Sequence, residues 1–258
     1  MVATTAELAS LAGAVGGDLV SVSYIIAPAQ DAEAYQPRPQ DLARIREARA
    51  VVRVGVDYDL WLDRMLREAR NVRVIDASTD VALLDVRAGG IGPGDGHAHG
   101  RGNPHYWLDP VNAEMITATI LEAFVQLSPP DAKRFEANRL RFLSQLDARI
   151  SRWSRSLART PALVAYHDTW PYFARRFRLR FVGIVETRPG VPASPSHLAE
   201  LVEKARAQKV RFVVREPHEP QRDADFIAAR AGAKVVTLAS HGDDYLSLID
   251  YNVRQLAR

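Results

Sequence analysis

Residues 103–110 read Asn-Pro-His-Tyr-Trp-Leu-Asp-Pro and place one histidine between two prolines. A residue that precedes proline is disfavoured from the helical region of backbone conformation. The chain around His105 is therefore expected to form a defined turn that holds the imidazole rigidly. A functional role and a plain hydrogen-bonded surface histidine both remain open for His105.

A second histidine follows the apolar run 162–166, in the sequence Tyr166-His167-Asp168-Thr169-Trp170. If that run is a strand, His167 lies just beyond its carboxyl end, where open α/β sheets bind ligands. The carboxylate pair Asp243-Asp244 comes near the C-terminus, although acidic residues ahead of a helix also serve as caps. Imidazoles and carboxylates on separate elements indicate one metal ion bound from two sides.

The composition is that of an ordinary globular protein, with 258 residues, 47% hydrophobic, 25% charged and a net charge of +3. Lysine and arginine are scattered, so nucleic-acid binding is not expected. No apolar run approaches the ~18 residues that span a bilayer. Cysteine is absent, which excludes disulfides and thiolate metal ligands. Without a basic start followed by an apolar segment, the chain is either cytosolic or a mature form whose leader has been removed.

Apolar strand-like runs alternate with helical patterns along both halves of the chain, which predicts mostly parallel sheets with helices on both faces. Strands are predicted at 19–27, 51–56, 72–75, 162–166, 181–185, 211–214 and 234–238. Helices are predicted at 6–15, 39–48, 60–69, 111–124, 169–176, 196–207 and 223–231.

One segment interrupts this alternation. Between about 130 and 158 no turn signal appears, and apolar residues recur at steps of three and four, which predicts a single helix. At 1.5 Å per residue it would be ~42 Å long, longer than one lobe requires. We interpret it as a rigid link between two α/β lobes, with a helix packed inside one domain as the alternative. The predicted division is 1–127 for the N-terminal lobe, 128–160 for the linking helix and 161–258 for the C-terminal lobe.

Other candidate residues are weaker on their own. Asp31 and Glu33 follow the first predicted strand and read as solvated loop charges. His97 and His99 form a His-x-His in the glycine-rich segment 88–102, and weak metal capture and no role are equally open for them. The sequence contains none of the common metalloprotease, serine-hydrolase or nucleotide-binding motifs.

Taken together, these segments resemble the metal-binding solute receptors of bacterial zinc and manganese ABC transporters, the cluster A-I periplasmic binding proteins. Residues 103–110 are similar to the family's Asp-Pro-His-x-Trp-Leu-Asp-Pro signature, with Asn103 in place of the first aspartate. Residues 167–173 are similar to its His-Asp-Ala-Phe-x-Tyr-Phe element. The segment Gly242-Asp243-Asp244-Tyr245 with Tyr251-Asn252 resembles the family's C-terminal segment. The resemblance covers nearly the whole chain.

The resemblance implies a ligand set of Glu33, His105, His167 and Asp243. Residues 30–37 match the family's Gln-Asp-Pro-His-x-Tyr-Glu-Pro, so Glu33 stands where the family usually has histidine. Carboxylate oxygen also ligates zinc. Manganese receptors of the family usually carry a carboxylate at the position of His167, so zinc is the expected ion and manganese the alternative.

The function implied is that of a periplasmic receptor, in its mature form without a signal peptide, which delivers the ion to an ABC transporter permease. It is expected to be a monomer and not an enzyme. A metal-dependent hydrolase, and an adhesion or metal-chaperone role without a permease, stay open as other hypotheses.

Overall fold

Two parallel four-stranded sheets, one in each half of the chain, form the framework of the protein. The computed structural model describes residues 1–69, 71–85, 101–160, 162–187 and 190–257. The strand orders are β2-β1-β3-β4 and β6-β5-β7-β8, so the two sheets share one topology. We call the unit built on β1–β4 the N-lobe and the unit built on β5–β8 the C-lobe.

The N-lobe begins with a short buried strand that leads directly into a helix. Its elements are β1 (Val2–Thr5), α1 (Ala6–Gly16), β2 (Ser23–Ile26), α2 (Pro39–Glu47), β3 (Ala50–Arg53), α3 (Trp61–Glu68), β4 (Arg73–Asp76) and α4 (Asn112–Leu127). A 3-10 turn, Tyr106–Leu108, lies inside the 103–110 segment. All strand pairs of this sheet are parallel.

The linking helix α5 (Ala132–Leu157) follows a 3-10 turn at Pro129–Asp131. The C-lobe then comprises β5 (Leu163–Ala165), α6 (Pro171–Phe177), β6 (Phe181–Ile184), α7 (Pro195–Ala207), β7 (Phe212–Arg215), α8 (Gln221–Ala231), β8 (Lys234–Thr237) and α9 (Tyr245–Leu256). None of the helices in the described ranges is both long and apolar enough to cross a bilayer.

The predicted fold class is confirmed: two lobes of parallel sheet flanked by helices, joined by one long helix. Three elements differ from prediction. The predicted strand 19–27 is reduced to β2, because residues 17–19 form a 3-10 turn. Strand β1 was not predicted, since it has four residues, two of them threonine. Helix α6 begins at Pro171, two residues later than predicted, because proline favours the first helical position. The lobe boundaries 1–127, 128–160 and 161–258 stay a prediction.

The two lobes pack directly against each other in addition to being connected by α5. Helix α9 of the C-lobe packs on α5 and also reaches α1 of the N-lobe. On this contact, Asp250 of α9 accepts hydrogen bonds from the indole of Trp153 (2.6 Å) and from Arg152 (2.8 Å). The main buried core accordingly contains residues from both sheets, such as Val51, Leu163 and Phe212.

Candidate metal site

The carboxyl ends of the strands in both sheets face the same cleft, and the loops that follow them carry the ionisable side chains. In the C-lobe, His167 follows β5, Glu186 follows β6, Glu216 follows β7 and His241 follows β8. Loop side chains after neighbouring parallel strands meet at one sheet edge, which is where open α/β sheets bind ligands.

A pocket of about 370 Å³ lies in this cleft. Among the described residues that line it, every ionisable side chain apart from tyrosine is a carboxylate or an imidazole, and neither lysine nor arginine is present. Such a lining is chemically suited to a cation. The carboxylates and imidazoles are Asp31, Glu33, Glu186, Glu216, Glu219, Asp223, His105, His167, His218 and His241.

His105 enters the pocket from the N-lobe with a fixed tautomer. The Oδ1 atom of Asn103 accepts from the backbone N–H of His105 at 3.0 Å and lies 3.1 Å from its Nδ1. Because Nδ2 of the same amide donates to the carbonyl oxygen of Asp168, Oδ1 is the acceptor and Nδ1 of His105 carries the proton. The Nε2 atom therefore faces the pocket, 3.1 Å from Oε1 of Glu33. The whole residue is 3% exposed.

His167 enters from the C-lobe in the same orientation. Its Nδ1 donates to Oε2 of Glu186 at 2.9 Å. Its Nε2 is buried and lies 3.6 Å from the same Oε1 atom of Glu33, within ion-pair distance. Both imidazoles therefore present Nε2 to one carboxylate oxygen.

Glu33 thus lies between two imidazoles, and the charges of this group are coupled. Burial opposes a charged His167, but hydrogen bonds to Glu186 and Glu33 outweigh it and raise the pKa of His167 to about 11. For Glu33, burial alone would raise the pKa, but the two imidazoles hold it well below its usual range. In the metal-free protein at neutral pH, Glu33 is therefore ionised, and the imidazole of His167 is doubly protonated and positively charged.

The two distances from Glu33 to the imidazoles are close to the spacing of ligands on one divalent ion. Two ligands that bind one tetrahedral zinc at ~2.0–2.1 Å lie roughly 3.3 Å apart, and the two Nε2–Oε1 distances are 3.1 and 3.6 Å. In the described part of the chain, no three or more His, Asp or Glu side chains are arranged so that they could hold a metal ion as they stand. Small side-chain shifts are thus required for an ion to replace the proton between the imidazoles and the carboxylate.

A further buried histidine that lines the same pocket, His241, was not predicted from the sequence. His241 has its Nδ1 3.0 Å from Oε2 of Glu7 and its Nε2 3.1 Å from the hydroxyl of Tyr58. The indole of Trp107 stacks on its ring at 5.5 Å. Burial opposes a charged His241, but the nearby Glu7 raises its pKa. This contact joins the C-lobe loop after β8 to the N-lobe.

Two buried carboxylates on the C-lobe wall were also missed. Glu216 accepts a hydrogen bond from Ser240 at 2.5 Å, and Glu219 accepts one from the backbone N–H of Glu216 at 2.5 Å. Burial, followed by the charge of Glu216, raises the pKa of Glu219 to about 8. The sequence signal was the acid-rich segment Glu216-Pro217-His218-Glu219, which directly follows the β7 run.

The structure places Asp243 outside the described lining of this pocket, and its assignment as a ligand stays a prediction. The side chain is exposed and bonds the hydroxyl of Tyr24, which raises the pKa of that tyrosine. The following residue, Asp244, caps α9 by accepting from the N–H of Ser247 at 2.8 Å, as the capping alternative predicted. The loop after β8 instead presents His241 to the cleft. His97 and His99 lie outside the described residues.

Comparison with known proteins points to one family. The family described as ZnuA, zinc-uptake complex component A, periplasmic, matches residues 1–258. A crystal structure of ZnuA superposes with a TM-score of 0.89 at 26% identity, covering 99% of this chain and 96% of the other.

Two curated relatives come from Streptococcus pneumoniae. The zinc-binding lipoprotein AdcA is 25% identical over 259 residues, which are 94% of this chain and 52% of AdcA. The chain therefore spans about half the length of AdcA. The manganese ABC transporter substrate-binding lipoprotein PsaA is 23% identical over 277 residues, covering 100% of this chain and 87% of PsaA.

Proposed function

Because this chain belongs to the ZnuA family of periplasmic zinc-uptake components, we propose that it is a solute-binding protein that captures a divalent transition metal, zinc foremost. It delivers the ion to the membrane permease of an ABC transporter. The metal is the cargo of the protein, held by Glu33 and His105 from the N-lobe and His167 from the C-lobe.

One observation carries this proposal. The Nε2 atoms of His105 and His167 come from different lobes and point at the same oxygen of Glu33, at 3.1 and 3.6 Å. The Nδ1 atom of each imidazole is engaged, by Asn103 and by Glu186 respectively, so Nε2 is the ring nitrogen that faces the pocket. Ligands drawn from both lobes make affinity depend on how the lobes are set relative to each other.

Zinc is favoured by the chemistry of the ligands. Imidazole nitrogen suits zinc better than manganese, and zinc binds more tightly than manganese at sites of this kind. Manganese is the second candidate, since the pocket adds carboxylates of the kind that manganese prefers, and PsaA is named as a manganese receptor.

The names of the relatives describe metal binding and transport, which supports a receptor rather than an enzyme. The hydrolase hypothesis would require turnover of an ester or phosphoester that disappears with a chelator. An adhesion or chaperone role would require that metal uptake be independent of a permease. We further propose a periplasmic location and a monomeric state, with no role in binding nucleic acid.

The test is a competition titration of metal-free protein with a chromogenic zinc chelator. Substitution of either histidine, His105→Ala or His167→Ala, is expected to abolish tight binding, and Glu33→Ala is expected to weaken it. Zinc binding of wild-type strength in His105→Ala or His167→Ala would disprove the assigned site. His197→Ala serves as the control, because His197 lies on α7, is absent from the described lining of the pocket, and donates from Nε2 to the carbonyl oxygen of Ile184 at 2.8 Å.

A further inference from the structure

The two imidazoles that face the pocket are oriented by unequal partners. His105 is held through Nδ1 by the neutral amide of Asn103 at 3.1 Å. His167 is held through Nδ1 by the carboxylate of Glu186 at 2.9 Å. A carboxylate behind a ligating imidazole fixes its orientation and strengthens it as a donor, whereas an amide oxygen fixes the orientation without the charge.

Glu186 is built to keep this position. It follows β6 at the carboxyl edge of the C-lobe sheet. Its second oxygen, Oε1, accepts from the backbone N–H of Gly190 at 2.9 Å, which leaves Oε2 for His167. The side chain is 19% exposed and that of His167 is 13% exposed, so water competes weakly for the bond between them.

We propose that Glu186 is a positioning residue that gives the site its preference for zinc over manganese. This inference rests on the proposed function. By strengthening the His167 nitrogen as a donor, Glu186 favours the metal that gains more from imidazole ligands, and that metal is zinc. Loss of the carboxylate weakens zinc binding more than manganese binding, so the ratio of the two affinities falls.

The variant Glu186→Gln isolates the charge. A glutamine retains an oxygen that can accept from Nδ1 of His167, as Asn103 does for His105, but it lacks the negative charge. Partners of this kind typically change metal affinity by roughly 10–100-fold. Glu186→Gln is therefore expected to lower zinc affinity about tenfold or more, and manganese affinity by a smaller factor.

Two further variants complete the design. Asp223→Asn, on the first turn of α8, removes one charge from the lining of the same pocket and is the matched control. Loss of this charge weakens the electrostatic attraction of the pocket for both ions equally, so the ratio of zinc affinity to manganese affinity is expected to stay constant. Glu186→Asp keeps the charge but shortens the side chain, so it is expected to lose zinc preference by withdrawing the carboxylate from His167.

The experiment measures zinc and manganese dissociation constants for wild-type protein and each variant, together with the Tm of the metal-free forms. A fall in the zinc-to-manganese ratio in Glu186→Gln or Glu186→Asp, but not in Asp223→Asn, supports the inference. Equal losses for both metals, or no loss, overturn it while leaving the proposed function intact. Failure of the wild-type protein to bind either metal overturns the proposed function instead.

Discussion

Arg176 of α6 clamps the carboxylate of Asp109 with two hydrogen bonds, from Nε at 2.5 Å and from Nη2 at 3.1 Å. Asp109 is fully buried and closes the segment that carries His105. The same carboxylate also accepts from the backbone N–H of Val111 at 3.0 Å. A C-lobe side chain therefore anchors the N-lobe segment 103–110, which carries the proposed ligand His105.

Removing this clamp is expected to destabilise the protein. Arg176→Ala leaves the buried carboxylate of Asp109 with the N–H of Val111 and the more distant guanidinium of Arg175, 3.7 Å away, and breaking a buried ion pair in this way costs about 3 kcal/mol. Chemical denaturation of the metal-free protein measures this. The control is Arg46→Ala, whose partner Glu68 is exposed and whose loss is expected to stay within about 0.5 kcal/mol. Equal stability of the two variants would contradict the role given to Asp109.

Metal binding is expected to release a proton from His167. The pKa of His167 is raised to about 11 in the metal-free protein, so its charged form stabilises the fold fully below its unfolded pKa of ~6.5. That contribution is lost only as pH rises through about 11. Ligation requires the neutral imidazole, so zinc affinity should rise about tenfold per pH unit between about pH 7 and 9.

Calorimetry in buffers of different ionisation enthalpy checks this prediction, because the apparent enthalpy then reports the number of protons released. At pH 7 about one proton per zinc is expected from His167. Zinc affinity that stays constant over this pH range, with no buffer-dependent enthalpy, would show that His167 is already neutral or is not a ligand.

Asp243 is expected to be dispensable for metal binding. Its exposed side chain bonds Tyr24 and does not belong to the described lining of the pocket. Asp243→Asn should therefore leave zinc affinity unchanged, whereas Glu33→Gln should weaken it, because Glu33 lies within 3.6 Å of both imidazoles. A competition titration of the two variants side by side decides the matter. A loss of zinc affinity in Asp243→Asn as large as that in Glu33→Gln would support the assignment of Asp243 as a metal ligand.

The sequence was sufficient for the architecture. Apolar runs and the uninterrupted helical stripe predicted both sheets and α5, since each depends on local periodicity. His105 was selected from its place between two prolines, His167 from the end of an apolar run, and Glu33 from the resemblance of residues 30–37, and their role as ligands stays a prediction. Glu33 was doubtful on its own because its burial depends on two histidines that are distant in sequence.

What the sequence did not predict are the partners that cross between elements. Glu186 and His167 are on loops after different strands, and nothing local in the sequence pairs them. Glu7 and His241 lie at opposite ends of the chain. For Asp243, the likeness of the segment 242–245 does not specify which side chain of the loop before α9 turns inward. Only the path of that loop decides between His241 and Asp243.

The lobes are expected to move little when metal binds. Buried hydrogen bonds cross between them near the site, and three of these are central: the indole of Trp107 donates to the carbonyl of Ser240 at 2.8 Å, Tyr245 donates to the carbonyl of Trp107 at 2.7 Å, and His241 joins Glu7 at 3.0 Å. Opening the cleft as a hinge would break all three, at about 1 kcal/mol or more each. Capture should therefore proceed by shifts of loops and side chains.

Small-angle scattering of metal-free and zinc-loaded protein should give radii of gyration that agree within about 1 Å. Tyr245→Phe, which removes one crossing bond and little volume, should widen that difference if these bonds restrain the lobes. A clear compaction of the wild-type protein on adding zinc would instead establish hinge closure and refute the rigid arrangement.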